Sequence, residues 1–296
     1  MTFDPLNTEL VKIAKALQQH DVKLIIGGGY GLALKTQQII DSGKRTRLQI
    51  PPARSTEDLD LFLRLEIITD AAKMEAIRDA LQKLGYRPVA EFFQFEAIID
   101  LPGGHGTIKV DLLAPRPKTK ADSEKVKVNK PRIRPRNARN IHAYLTEEAV
   151  TLEERLTRLA LSHDQDKAEV FLPHPFTFLV LKLFALRDHL IKERKPAGEQ
   201  TKQPRAPEHA FDIYRIVSMF TEPEWYEAKE LAEKYRNDDI IREAQRIVSS
   251  IFSTVESEGP RAAKRHGALI DFKIETSDLR KVLDDIYELF VPVSET

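Results

Sequence analysis

The segment Thr56-Glu57-Asp58-Leu59-Asp60-Leu61-Phe62-Leu63 alternates aspartate with leucine at its centre. Side chains on a strand point to opposite faces in turn, so Asp58 and Asp60 project to one side, about 7 Å apart at their Cα atoms. Two carboxylates held in that way repel each other unless a cation sits between them. The segment calls for a sheet that carries a polar face at this point. A solvated edge strand shows the same alternation, so the pair gains meaning only if other groups converge on it.

The surrounding pattern supports a sheet. Leu10, Ile13, Ala14 and Leu17 fall on one face of an amphipathic helix, followed by a short apolar strand over 22–26 that ends in Gly27-Gly28-Gly29. A helix is expected over 31–40, a polar basic loop over 41–52, and a helix over 70–84 with Met74, Ile77, Ala80, Leu81 and Leu84 in one stripe before Gly85. Residues 92–99 and 108–113 read as two strands joined through Pro102-Gly103-Gly104-His105-Gly106, an antiparallel hairpin. Residues 151–162 fit either a strand or a helix. From Pro175 onward the periodicity is helical, over 176–191, 208–220, 224–235, 239–252 and 278–290, with a polar linker over 192–207. The expected class is α+β: a mixed sheet with flanking helices over 1–172, then a helical domain over 173–296 that contributes to the active-site cleft.

A chain of 296 residues can bury roughly three quarters of its unfolded surface. Lysine plus arginine and aspartate plus glutamate both total 46, so no global field draws it toward nucleic acid or membrane. There is no cysteine, which excludes disulfides and thiolate chemistry. No apolar run approaches the roughly 20 residues of a membrane span. A soluble, cytoplasmic protein is expected.

Asp111, in Ile108-Lys109-Val110-Asp111-Leu112-Leu113, is a third acid on a strand otherwise apolar. Burying a lone carboxylate is costly, so it needs a partner or changes its protonation. Beside the Asp58 strand it would complete a three-carboxylate site suited to Mg2+, a hard cation that takes oxygen ligands and bridges to substrate phosphates. Two such ions, about 3.5 to 4 Å apart, can clamp the entering and leaving oxygens of a phosphoryl displacement. Pairing of Asp111 with Lys109 or an arginine is the plain alternative. The triple glycine adds a backbone that a ligand can approach closely, leading into a helix whose start favours anions. It matches neither the dinucleotide nor the P-loop pattern, and alone it marks only a tight turn.

Taken together, Gly27-Gly28-Gly29-Tyr30-Gly31, then Arg54-Ser55-Thr56-Glu57-Asp58-Leu59-Asp60, then Lys109-Val110-Asp111 resemble the polymerase-beta-type nucleotidyltransferases, and most closely the toxins of AbiEii/MenT type. The helical half is similar too: Lys182 and Arg187 lie in one helix and His209-Ala210-Phe211-Asp212-Ile213-Tyr214 in the next. The resemblance implies that Asp58, Asp60 and Asp111 hold Mg2+. It implies that Gly28, Gly29, Tyr30, Arg54, Thr56, Lys182 and Arg187 contact a nucleoside triphosphate, and that Asp212 acts near the reacting hydroxyl. It also implies a cognate antitoxin protein. An unpaired lysine inside an apolar helix would be costly, which agrees with a role for Lys182. Snorkelling of Lys182 and ion pairing of Asp212 with Lys182 or Arg187 stay open. His142, His174 and His209 lack metal-ligand spacing, and only His209 stands close to Asp212 in sequence.

Two segments depart from the family spacing: the connection from Gly29 to Asp58, with a basic insert around Lys44-Arg45-Thr46-Arg47, and the linker over 192–207. Between 115 and 140 ten cations face only Asp122 and Glu124, which reads as an extended basic loop. Arg132, Arg134 and Arg136 are its candidates for holding an RNA acceptor such as tRNA. Transfer to a protein or a small molecule, or nucleic-acid binding without turnover, are the alternative functions.

Overall fold

The structure, a computed structural model, describes residues 4–89, 92–101, 104–194 and 204–291. Its contacts divide the chain into two compact units, residues 1–35 with 55–173 and residues 36–54 with 174–296.

The first unit opens with α1 (Pro5–Gln18), capped by Asp4, whose carboxylate accepts from the Leu6 and Asn7 amides. Pro5 suits the first turn because its missing N–H has no helical acceptor there. Leu10, Ile13 and Leu17 are fully buried, each contributing about 1.5–3 kcal/mol by leaving water. Next come β1 (Ile25–Ile26), α2 (Gly28–Asp41), β2 (Asp58–Phe62), α3 (Leu65–Ile68), α4 (Ala71–Lys83), β3 (Arg87–Pro88), β4 (Gln94–Leu101) and β5 (Gly104–Pro115). After these run α5 (Lys120–Lys125), β6 (Val126–Asn129), β7 (Arg132–Pro135), β8 (Ala143–Thr146), β9 (Thr157–His163) and β10 (Asp166–Leu172).

The strands form one mixed sheet in the order β6-β7-β8-β5-β2-β1-β10-β9, with β4 also on β5 and β3 on β4. β2 runs parallel to β5, and β1 parallel to β10 and antiparallel to β2. On the side of β5 away from β2, β4 pairs along 104–111 and β8 along 113–115. α1 packs against β10, β9, β2 and α4, and a continuous apolar core runs from Leu6 to Leu172.

One expectation changes here and one open alternative closes. The segment over 115–140 is not an extended loop: α5 leads into an antiparallel hairpin in which Val126 pairs with Pro135 and Val128 with Ile133. Val126 and Ile133 are buried, and these few apolar side chains suffice to anchor the hairpin. The segment over 151–162 resolves as strand from Thr157, paired along its length with β10. Pro102 and Gly103 of the expected turn, and most of the expected linker over 192–207, lie outside the described residues.

The second unit is helical, with α6 (Pro175–Glu193), α7 (Ala206–Met219), α8 (Glu222–Lys234), α9 (Asp239–Ile251), α10 (Glu258–Lys264), α11 (Gly267–Phe272) and α12 (Thr276–Phe290). His174 caps α6 through Nδ1, which accepts from Phe176 N–H at 3.1 Å. Phe176 stacks on Phe290, with ring centroids 5.5 Å apart, and α7 packs against α6, α10 and α12. Residues 36–54 join this unit through backbone bonds, from Arg47 N–H to the Phe220 carbonyl at 3.0 Å and from Leu48 N–H to the Ser218 carbonyl at 3.2 Å. Among the described residues no helix is long and apolar enough to cross a membrane.

Candidate active site

In the first unit the acids meet through strand register. Asp60 of β2 lies directly opposite Asp111 of β5, and Asp58 lies opposite Lys109. Alternation therefore puts Asp58, Asp60, Lys109 and Asp111 on one face of the sheet, while Leu59, Leu61, Val110 and Leu112 are buried on the other. Burial raises the Asp111 pKa above the ordinary carboxylate value. A hydrogen bond from Gln94 opposes that, the charge of Asp58 adds to it, and Lys109 offsets it. Gln94 Nε2 donates to Asp111 Oδ1 at 2.8 Å. Gln94 had no signal in the sequence, since it reaches Asp111 only because β4 pairs Gln94 with Asp111.

The glycine turn closes against this pair. β1 pairs with β2, Gly27 N–H donates to the Asp60 carbonyl at 2.9 Å, and the Gly27 carbonyl accepts from Gly31 N–H at 2.8 Å as α2 begins. Gly28 has φ +60°, and a Cβ there would fall 1.6 Å from Asp60 Oδ2. Only glycine fits, on backbone and on space alike. The opening amides of α2, Gly29 among them, have no acceptor within the helix. Thr56 is half-buried two residues before Asp58. Tyr30, expected at the nucleotide, is buried, and its hydroxyl donates to Asp4 Oδ2 at 2.9 Å, joining α2 to the cap of α1.

The second unit holds the other expected residues. Lys182 Nζ lies 2.8 Å from Asp212 Oδ2, with the lysine side chain 9% exposed and the aspartate fully buried. Arg54 donates to the same oxygen through Nε and Nη2 at 3.3 Å. Burial alone would raise the Asp212 pKa, but Lys182 and then Arg54 outweigh it and hold the group below the ordinary value. Asp212 Oδ1 is buried with no hydrogen-bond partner among the described residues. The ion-pair alternative is thus realised for Lys182, and the sequence offered no means of choosing it. Arg187 is not in this cluster. It pairs with Asp188 at 2.7 Å and Glu243 at 3.2 Å and lies over the Phe184 ring, on a different face of α6 from Lys182. His209 is buried against His189, ring centroids 4.8 Å apart, and burial, then Lys182, push its pKa down, which keeps it neutral.

The hairpin arginines are also occupied. Arg134 Nη1 donates to the carbonyls of Pro135, Arg136 and Ala138, and Arg136 Nε donates to the Glu124 carbonyl. These side chains brace their own hairpin. Arg132, the third, stands opposite Tyr144 of β8.

A family model described as nucleotidyl transferase AbiEii toxin, type IV toxin–antitoxin system, matches residues 15–288. The chain belongs to the AbiEii nucleotidyltransferase toxin family. As an AbiEii-family member it is a nucleotidyltransferase, and the type IV toxin–antitoxin setting of the family implies a nucleotide substrate and an antitoxin counterpart. Among solved structures the AbiEii-family chain is similar to an antigenic nucleotidyltransferase-like protein from Paracoccidioides brasiliensis, at 16% identity over 81% of this chain and 91% of that one, TM-score 0.40. It is also similar to ANT(2″)-Ia in complex with adenylyl-2″-tobramycin, at 10% identity over 62% of this chain and 78% of that one, TM-score 0.30. Among curated proteins no match is found.

Members of such a family imply a divalent metal. Among the described residues no three His, Asp or Glu side chains gather as a finished metal cluster. The donor set nonetheless fits a hard cation: three carboxylates on one sheet face, Asp60 and Asp111 in register, and the Asp60 carboxylate lodged where a Gly28 Cβ would stand.

Proposed function

We propose that this AbiEii-family enzyme transfers a nucleoside monophosphate from a nucleoside triphosphate to a hydroxyl of an RNA acceptor such as tRNA, in a magnesium-dependent reaction. It would act in the cytoplasm as the toxin countered by an antitoxin. The observation that carries the reading is the register of Asp60 against Asp111, with Asp58 on the same face. Asp58, Asp60 and Asp111 would hold the magnesium, which supplies neutralisation of phosphate charge and a clamp on the reacting oxygens. The opening amides of α2 suit the triphosphate because a helix start favours anions.

In the reaction the acceptor oxygen forms a bond to the α-phosphorus as the bond to pyrophosphate breaks. Asp212 is assigned to the acceptor hydroxyl through Oδ1, which lacks a hydrogen-bond partner among the described residues. Its lowered pKa suits it to orient that hydroxyl as an acceptor, with the proton passing on to solvent. Lys182 is assigned to phosphate, and it must then share itself between phosphate and Asp212.

Incubation with each α-labelled triphosphate, magnesium and total RNA tests the reading. Label enters RNA with the wild type and falls by roughly a hundredfold or more in Asp58→Asn and Asp60→Asn, since the metal contributes several kcal/mol. Undiminished labelling by those variants sinks the assigned site, and label on protein or a small molecule redirects the acceptor.

A further inference from the structure

The second unit holds a cavity of about 530 Å³ between residues 44–47, the start of α8 and Lys281 of α12, within the size range of ligand pockets. Four cations line it, Lys44, Arg45, Arg47 and Lys281, against one acid, Glu222, and Trp225 and Tyr226 supply its aromatic wall. It contains the basic insert that departs from the family spacing.

Two of the cations build the cavity. Arg47 grips Asp285 through Nε at 2.8 Å and through Nη2, and its guanidinium lies 4.1 Å from the Trp225 ring centre. Lys281 Nζ donates to the Arg47 carbonyl at 3.1 Å. Thr46 bridges Thr221, so the insert is held against the bundle by backbone as well as charge. The other two cations are not used in this way. Lys44 and Arg45 are exposed, and neither forms an ion pair with a carboxylate among the described residues. Tyr226 is 56% exposed, with Lys229 Nζ 4.8 Å from its ring centre.

Uncompensated cations beside an exposed ring match the chemistry of single-stranded nucleic acid, in which phosphates need positive charge and bases need a stacking face. The segment over 115–140 has the larger cation count, but Arg134 and Arg136 there are bound to carbonyls. We propose that this cavity binds a single-stranded segment of RNA, with a base on Tyr226 and phosphates on Lys44 and Arg45. The proposal rests on the reading of RNA as acceptor and places its contacts on the insert.

The test is binding of a labelled oligoribonucleotide of about 12 nucleotides, within the site size of single-strand binders, to the full chain, followed by anisotropy at several salt concentrations. Trp225 is the only tryptophan in the chain, so its fluorescence reports occupation directly. The Lys44→Glu/Arg45→Glu double variant weakens binding by about tenfold or more at low salt and, with two phosphate contacts gone, flattens the log–log salt slope by about 1.4. Tyr226→Ala weakens binding by roughly fivefold or more through lost stacking. All three positions are exposed, so thermal melts stay near the wild type.

Absence of binding by the wild type, or unchanged affinity in both variants, overturns the proposal. So does equal binding of a mononucleotide with the same loss in the variants, which would make the cavity a free-nucleotide site. The catalytic reading is judged separately. RNA binding that survives Asp58→Asn while transfer stops supports both, whereas transfer with wild-type affinity in the double variant removes the cavity and leaves the transferase.

Discussion

The Asp60 carboxylate fills the space that a side chain on Gly28 would need: a Cβ on Gly28 would lie 1.6 Å from Asp60 Oδ2. The contact couples the glycine turn to the carboxylate face, so the start of α2 and the acid pair are a single structural unit. Gly27 reinforces it from behind, since a Cβ there would meet Phe62 Cε2 at 2.4 Å.

Gly28→Ala is therefore expected to cost more than a left-handed backbone alone. Gly43 offers the control, with φ +63° and nothing within 4 Å of its Cβ position. Gly43→Ala is expected to cost about 1–2 kcal/mol from the backbone, and Gly28→Ala at least about 1 kcal/mol beyond that from overpacking. Urea unfolding measures both. Equal losses would mean that Asp60 moves aside freely.

Gln94→Leu removes the 2.8 Å hydrogen bond to Asp111 and leaves the three acids in place. Groups that orient a metal ligand typically account for about 10- to 100-fold in affinity. The magnesium concentration giving half-maximal transfer is expected to rise by about that factor, with the rate at saturating magnesium much less affected. A magnesium titration of wild type and variant decides it.

Asp212→Asn leaves Lys182 buried without its counter-charge, for an expected loss of about 3–5 kcal/mol near neutral pH. Burial opposes the charged aspartate, Lys182 and Arg54 favour it more strongly, and the folded-state pKa is lowered. Its stabilisation is then complete above the ordinary value of 3.8 and is lost as pH falls through the lower folded value. The gap between wild type and variant should close as pH drops below that range. Urea melts from neutral to acid pH reveal the trend, and a gap that widens in acid contradicts it.

Arg134→Ala deletes three bonds from one guanidinium nitrogen to the carbonyls of Pro135, Arg136 and Ala138. A loss of about 1.5–3 kcal/mol in stability is expected, as for hydrogen bonds to charged groups. RNA affinity is expected to stay unchanged. Lys127→Ala, on the same hairpin and exposed, serves as the reference for a cation that braces nothing. A reduced RNA affinity in Arg134→Ala at unchanged stability would return the hairpin to the nucleic-acid surface.

Local patterns made part of this site legible. Alternation over Asp58-Leu59-Asp60-Leu61 identified β2, and three glycines before a helix marked the turn. Periodicity likewise marked α4, α6, α7 and α9. The hairpin of β6 and β7 was hidden because cations are interleaved along it and only Val126 and Ile133 join the apolar core. Tyr30 and Arg187 stood in the right motifs, but a motif does not say which way a side chain turns. Tyr30 turned to Asp4 and Arg187 to Glu243.

The sequence by itself determined which groups the chain carries, three aspartates, a glycine turn, and a lysine and an aspartate on two successive helices, because each is written in a window of a few residues. Tertiary structure alone decided what those groups touch. Asp60 meets Asp111 through a parallel register that local periodicity cannot specify. Gln94 reaches Asp111 across one more strand, and Arg47 fastens the insert to Asp285 in the last helix, 238 residues away. Such contacts depend on how strands pair and helices pack, and no local window of sequence contains both of their ends.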